Sequence, residues 1–284
     1  MSIREGFLDY PDRSSIRYRL NNRPSSVSAI LLHGLGERLE MYDHLYPAFE
    51  RAGIALHALE LRGHGESSGA HKYISDFELY VKDLKRFITS FLKESTPYLI
   101  GHSTGGLVAL RTAEDTRFPI RGLVLTSPLL EMKLNPFLRF ILPVLSMLAP
   151  QLLVPDKEEN FYRLTHEEQI ARMLADESRR TLFGVRLGFV GAFLRARKRF
   201  LEYTHIIRDI PSLLLLADED VILDVQRIEA LFTSIYRDSP NLTLVRCSDC
   251  YHAILLERDR ASFVDRILKW IQRQESGSEE GSPA

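Results

Sequence analysis

The chain has 284 residues, but only two of them are cysteines, Cys247 and Cys250. That excludes a disulfide framework and points to a reducing compartment, so a cytoplasmic location is expected. With no second Cys pair, a structural zinc would lack two of its ligands, and no metal is expected. Charge of either sign is not in surplus: 37 Lys and Arg stand against 38 Asp and Glu. The electrostatic footprint of a nucleic-acid binder is therefore missing. Long hydrophobic runs are missing too. The most apolar window, Pro136 to Pro155, is interrupted by Arg139, Pro143 and Pro150, which argues against a membrane span. Met1 to Gly6 lacks the basic and apolar regions of a signal peptide, so none is expected. No internal repeat is visible. What remains is ordinary for a soluble globular protein, 45% apolar and long enough to bury a large core.

Apolar strand patterns alternate with helical ones over most of the chain. Ile3 to Asp9 and Ser15 to Leu20 read as strands around a Pro11-Asp12 turn. Val27 to Leu32 is a third strand, and Glu37 to Arg51 a helix closed by Gly53. Ile54 to Leu61 is a strand. A helix follows from an N-cap at Ser75 to about Lys93. Tyr98 to Gly101 and Gly122 to Thr126 are strands. From Pro128 to Ile207 strand signals give way to helical periodicity rich in Arg. The first rhythm then returns with Leu213 to Leu216, Val225 to Ile235, Leu242 to Val245 and Arg258 to Ile271. This predicts an α/β fold, a mostly parallel sheet covered by helices on both faces. Residues 1–127 and 208–274 form its core, 128–207 a helical cap inserted between two strands, and 275–284 a disordered polar tail.

One stretch carries chemistry. Tyr98 to Leu110 runs from apolar residues through Gly101-His102-Ser103-Thr104-Gly105 into small residues at helical spacing. A serine at such a strand–turn–helix apex is exposed and strained, and the glycines permit the close approach. The helix N-terminus beneath it favours a developing negative charge. A serine nucleophile needs a base and an orienting carboxylate, and in this architecture the order is Ser, acid, His. Asp218, Glu219 and Asp220 follow one late strand. Asp220 is preferred, because the turn must project its acid back over the sheet; Asp218 is the rival. His252 follows the last strand and is the candidate base. His33-Gly34-Leu35-Gly36 follows the third strand, where a second oxyanion donor belongs. The backbone N–H groups of Leu35 and Thr104 are the candidate pair.

These residues resemble the α/β-hydrolase superfamily, and within it the monoacylglycerol lipase and lysophospholipase branch. The matching pieces are His33 to Glu37 with Tyr42 to Leu45, Arg62 to Ser67, Gly101 to Gly106, Asp220 with Asp224, and Tyr251-His252 with Glu257. They span nearly the whole chain in order. The resemblance implies Ser103, Asp220 and His252 as a catalytic triad, Leu35 and Thr104 as oxyanion donors, and no cofactor. Three positions depart from the branch: Thr104 in place of Met, Ala217 in place of Gly, and Glu60 in place of Asp.

The expected activity is two-step hydrolysis of single-chain lipid esters, monoacylglycerol first and lysophospholipid second. A general carboxylesterase or an acyltransferase with the same triad, small-peptide hydrolysis and a non-catalytic binding role are the alternatives. The apolar surplus of Pro136 to Pro155 exceeds what docking a short helix pair needs. It is expected to line an acyl tunnel above Ser103 and to touch membrane or micelle surfaces transiently, with Leu145 exposed.

Overall fold

A computed structural model describes residues 3–93, 95–179 and 184–279. The strands are β1 (Ile3–Asp9), β2 (Ser15–Asn21), β3 (Ser28–Leu32), β4 (Ala55–Leu59), β5 (Tyr98–His102), β6 (Gly122–Thr126), β7 (Leu153–Pro155), β8 (Gly184–Arg186), β9 (Ser212–Ala217) and β10 (Leu242–Cys247). The helices are α1 (Leu45–Arg51), α2 (Glu78–Phe91), α3 (Thr104–Ala113), α4 (Pro136–Leu148), α5 (Glu158–Phe161), α6 (Glu168–Arg179), α7 (Leu187–Glu202), α8 (Thr204–Ile207), α9 (Val225–Ile235) and α10 (Arg260–Glu279).

Eight strands form one sheet in the order β1-β2-β4-β3-β5-β6-β9-β10. The β1–β2 and β2–β4 pairs are antiparallel and the remaining pairs parallel. The five strands from β4 to β9 in this order are buried at every position. That is why they read as continuous apolar runs instead of alternating ones. Alternation survives in which face each residue serves. Ile30, Leu99, Leu123 and Leu214 enter one core, with Leu84 and Phe87 of α2, Leu107 of α3 and Phe232 of α9. Leu31, Ile100, Val124 and Leu215 enter the other, with Phe49 of α1 and Ile267 and Ile271 of α10. The period of two thus splits one apolar strand between two helical layers.

Between β6 and β9 the chain leaves the sheet for α4 to α8. This segment also holds a two-stranded antiparallel pair, β7 with β8, where the sequence predicted helices alone. Strands of three residues are too short to leave a periodic trace. Three other boundaries shift. The helix predicted from Glu37 becomes a 3-10 turn, Leu39–Tyr42, followed by α1. A helix through both would hold Pro47 in its interior, whereas in α1 it sits in the first turn, where its missing N–H costs nothing. Ser75 does not cap α2. The Asp76 carboxylate accepts from Glu78 N at 3.1 Å instead. At the other end, α10 runs past the predicted limit of ordered chain. Tyr98 donates to Glu275 at 2.7 Å, and Arg121 pairs with the same carboxylate. Residues 280–284 lie outside the described residues.

Candidate active site

β5 ends at His102, α3 begins at Thr104, and Ser103 is the single residue between them, at φ 48° and ψ −112°. Such a left-handed conformation is rare and costly for a side-chain-bearing residue. Backbone contacts enforce it. Ser103 N donates to Thr126 O at 3.0 Å, and Ser103 O accepts from Leu129 N at 2.9 Å. Glycine is required beside it: a Cβ at Gly105 would stand 2.1 Å from Leu32 O, and one at Gly101 2.6 Å from Gly105 O. Gly105 N also donates to His33 O at 3.1 Å, which ties the elbow to the loop after β3.

That loop carries Leu35. Among the described residues, neither Leu35 N–H nor Thr104 N–H is committed to a hydrogen bond. Thr104 opens α3, so its amide has no intrahelical acceptor. The loop is held from below. Gly34 N donates to Glu37 Oε2 at 2.6 Å, and Leu61 N donates to His33 Nε2 at 3.0 Å. His33 therefore carries its proton on Nδ1, which faces Gly34 O at 2.8 Å.

The turns after β9 and β10 meet. His252 Nδ1 lies 2.6 Å from Asp220 Oδ2. The other carboxylate oxygen accepts from Ile222 N at 2.8 Å and Leu223 N at 2.9 Å. Burial alone would lift the Asp220 pKa. The His252 ring and the two amides outweigh it and hold the carboxyl below its usual range. With Nδ1–H donated to Asp220, His252 keeps Nε2 as an acceptor. Asp218, the rival, turns outward to Arg246, 2.5 Å away. Glu257 fixes the His252 loop against the segment between β6 and β9. It accepts from Tyr251 N at 2.8 Å and from His166 N at 3.0 Å. The His166 and Tyr251 rings stack at 3.8 Å.

Ser103, Thr104, Leu35 and His252 line one cavity of about 480 Å³, and Asp220 stands behind His252. Leu138 and Leu142 of α4 and Phe189 and Phe193 of α7 give it an apolar wall.

A buried ion pair that sequence reasoning left without a role sits beside this group. His102 Nε2 is 3.4 Å from Glu37 Oε1, and its ring centroid is 4.9 Å from that of His252. Burial opposes charge on both. Their mutual attraction prevails, with a 2.6 Å hydrogen bond from Tyr42 to Glu37, so Glu37 falls to about 2 and His102 rises above its usual value. The signal was there, since both residues belong to the quoted motifs, but spacing gave no hint that they touch. Cys247 and Cys250 are free and buried, and burial lifts each thiol to about 12, far from the thiolate a nucleophile or metal ligand needs. No cluster of metal-ligating side chains occurs among the described residues.

A sheet in this strand order, with its elbow after β5, is that of the α/β-hydrolases. A monoacylglycerol lipase from Paleococcus ferrophilus has the same fold, with a TM-score of 0.75 over 96% of this chain and 100% of its own at 24% identity. Residues 24–259 match the serine aminopeptidase S33 model, and the chain belongs to that family. The monoglyceride lipase of Rattus norvegicus is 25% identical over 270 residues, covering 89% of this chain and 85% of its own. An uncharacterized abhydrolase domain-containing protein of Dictyostelium discoideum is 25% identical over 273 residues. That match covers 91% of this chain, which spans 27% of the longer protein.

Proposed function

We propose that the protein hydrolyses carboxylic esters of single-chain lipids through an acyl-enzyme on Ser103. The observation that carries this reading is the Asp220–His252 hydrogen bond, which leaves Nε2 of His252 as a base in the cavity that Ser103 also lines. His252 takes the Ser103 proton as Oγ attacks the acyl carbonyl. The Leu35 and Thr104 N–H groups hold the oxyanion. His252 passes the proton to the departing alcohol. Water, deprotonated by His252, then releases the fatty acid and restores Ser103. Asp220 orients the ring and stabilises its cation.

The apolar wall supports a lipid acyl chain, each buried methylene contributing about 0.8 kcal/mol. We read 128–207 as a cap over the site. Its helix α4 shows Leu138 and Leu142 to the cavity and Phe140, Met147 and Leu148 to solvent, each of these three more than three-quarters exposed. That outer side supports transient contact with a lipid surface. Leu145, expected to be exposed, is half-buried. No helix among the described residues is long and apolar enough to cross a membrane. A peptide's free amine would meet Lys72 and Arg163 as well as Asp156 in the cavity wall, which favours the ester reading.

The test is fatty-acid release from purified protein given mono-, di- and triacylglycerols, lysophospholipids and short soluble esters. Turnover is expected on single-chain lipids over triacylglycerol. Triacylglycerol or short esters as the best substrates would overturn the lipid assignment, and no release from any ester would overturn hydrolysis.

A further inference from the structure

Lys72 is only 4% exposed, yet it lines the cavity beside Leu35 and Ser103. A Cβ at Gly36 would stand 3.9 Å from its Nζ, so the amine lies against the loop that carries Leu35. Lys72 has no ion-pair partner among the described residues. Its amine donates to the Ser178 hydroxyl at 3.2 Å and stands 5.4 Å from the centroid of the Phe161 ring. Its backbone is left-handed, φ 52°, which a lysine adopts only when its surroundings impose it. A buried cation held by a hydroxyl and an aromatic face, in a strained backbone on the wall of a reactive cavity, calls for a ligand.

The cavity is asymmetric in charge. Its apolar wall comes from α4 and α7. Asp156, Asn160 and Arg163, on the segment that carries Phe161, line it as well, and Asp156 is near enough to act on the Lys72 charge. This stretch is bound to the base, for Ala253 N, next to His252, donates to Leu164 O at 2.8 Å. The departing alcohol takes its proton from His252, so it leaves on this side. Among the described lining residues of this part, Lys72 and Arg163 are set against Asp156, which is exposed and tied to its own turn through Lys157 N at 2.8 Å. The other carboxylates near the cavity are engaged, Glu37 with His102 and Tyr42, and Asp220 with His252.

We infer that Lys72, with Arg163, forms an anion-receiving subsite for the alcohol portion of the substrate, and that the preferred esters carry a phosphate there. This rests on the ester-hydrolase reading and sharpens it, placing phosphate-bearing single-chain lipids ahead of neutral monoacylglycerols. Burial brings the Lys72 amine down to about 8 against the pull of Asp156, so it is still mostly charged at neutral pH. Unlike a surface lysine, it is shielded from solvent, and a charge-assisted hydrogen bond to phosphate is correspondingly strong.

The test compares 1-acylglycerol 3-phosphate with the monoacylglycerol of the same chain. Wild type is expected to favour the phosphate by about tenfold or more in kcat/KM. Lys72→Met should collapse that ratio chiefly through KM, Lys72→Arg should restore most of it, and Arg163→Gln, at the exposed mouth, should lower it about threefold. A ratio that Lys72→Met leaves unchanged, or a wild-type preference for the neutral lipid, overturns the subsite. Binding separates this from the chemistry. Calorimetry on Ser103→Ala with a 1-O-alkylglycerol 3-phosphate, against the unphosphorylated ether, should show the same preference and its loss with Lys72→Met. If neither ester is turned over but the phosphate ether still binds through Lys72, the hydrolase reading fails and the subsite stands. Equal binding of the two ethers sinks the subsite alone.

Discussion

Glu37 holds both the ring of His102, with Nε2 3.4 Å from Oε1, and the backbone of the loop after β3, with Gly34 N 2.6 Å from Oε2. The same ring packs 4.9 Å from that of His252. One buried carboxylate thus couples the amide expected to receive the oxyanion to the ring expected to act as base. Removing one partner of a buried pair leaves the other charge uncompensated.

Glu37→Gln should therefore cost about 3 kcal/mol of stability. It should also lower kcat more than it raises KM, since it loosens the loop rather than the acyl wall. The pH dependence has a defined sign. Glu37 is held near 2, below its ordinary 4.5, so its contribution is fully present above about pH 4.5 and lost as pH falls toward 2. His102 is shifted upward from 6.5, so its contribution is fully present below 6.5 and lost as pH rises through its raised value. Denaturant melts from pH 2 to 9 should show both limbs in the wild type, and both should be smaller in the variant, the acid limb keeping the share that Asp220 and the other lowered carboxylates contribute. Identical profiles would remove the pair from the account.

Ser103 should be the one serine labelled by a fluorophosphonate, because only an activated hydroxyl attacks phosphorus readily. Ser103→Ala should lower turnover by roughly four to six orders of magnitude while leaving the melting temperature near that of the wild type. A label mapped by mass spectrometry to another serine would reassign the nucleophile.

Asp220→Asn should cost roughly 10⁴-fold in kcat by favouring the wrong His252 tautomer. Asp218 is bound to Arg246 at the surface, 2.5 Å away, so Asp218→Asn should change kcat less than about threefold. Steady-state rates for the two variants decide between them, and the reverse ranking would move the acid to Asp218.

Much of this was legible in the sequence because it is local. The strands from β3 to β9 in the main sheet announce themselves as apolar runs, and the Ser103 elbow as glycines around a serine. Asp220 and His252 were nominated by their places after late strands, although their meeting depends on β9 and β10 being neighbours. Lys72 was invisible for the opposite reason. It lies in a loop with no motif of its own, and it packs against Phe161 and Ser178, the latter 106 residues further along the chain. Charged residues are read as solvated by default, and only tertiary packing reveals the exception. The 3-10 turn before α1 was hidden because its apolar residues also suit a helix.

The outer side of α4 makes the last prediction. Asn135 caps this helix through Leu138 N at 2.8 Å, and Pro136 begins it, so its start is fixed by local chemistry. Leu138 and Leu142 then face the cavity, while Phe140 is 81% and Met147 77% exposed. Exposed side chains of that size contribute nothing to folding, so replacing them should leave stability almost unchanged. At a lipid surface they would be buried, and a charge in their place would oppose docking. Phe140→Glu should thus lower activity on micellar lipid by roughly tenfold and leave turnover of a soluble short ester within about twofold. Vesicle co-sedimentation should fall with the micellar rate. Matching losses on both substrates would mean that the helix has been damaged, and unaltered micellar activity would mean that lipid reaches the cavity without α4.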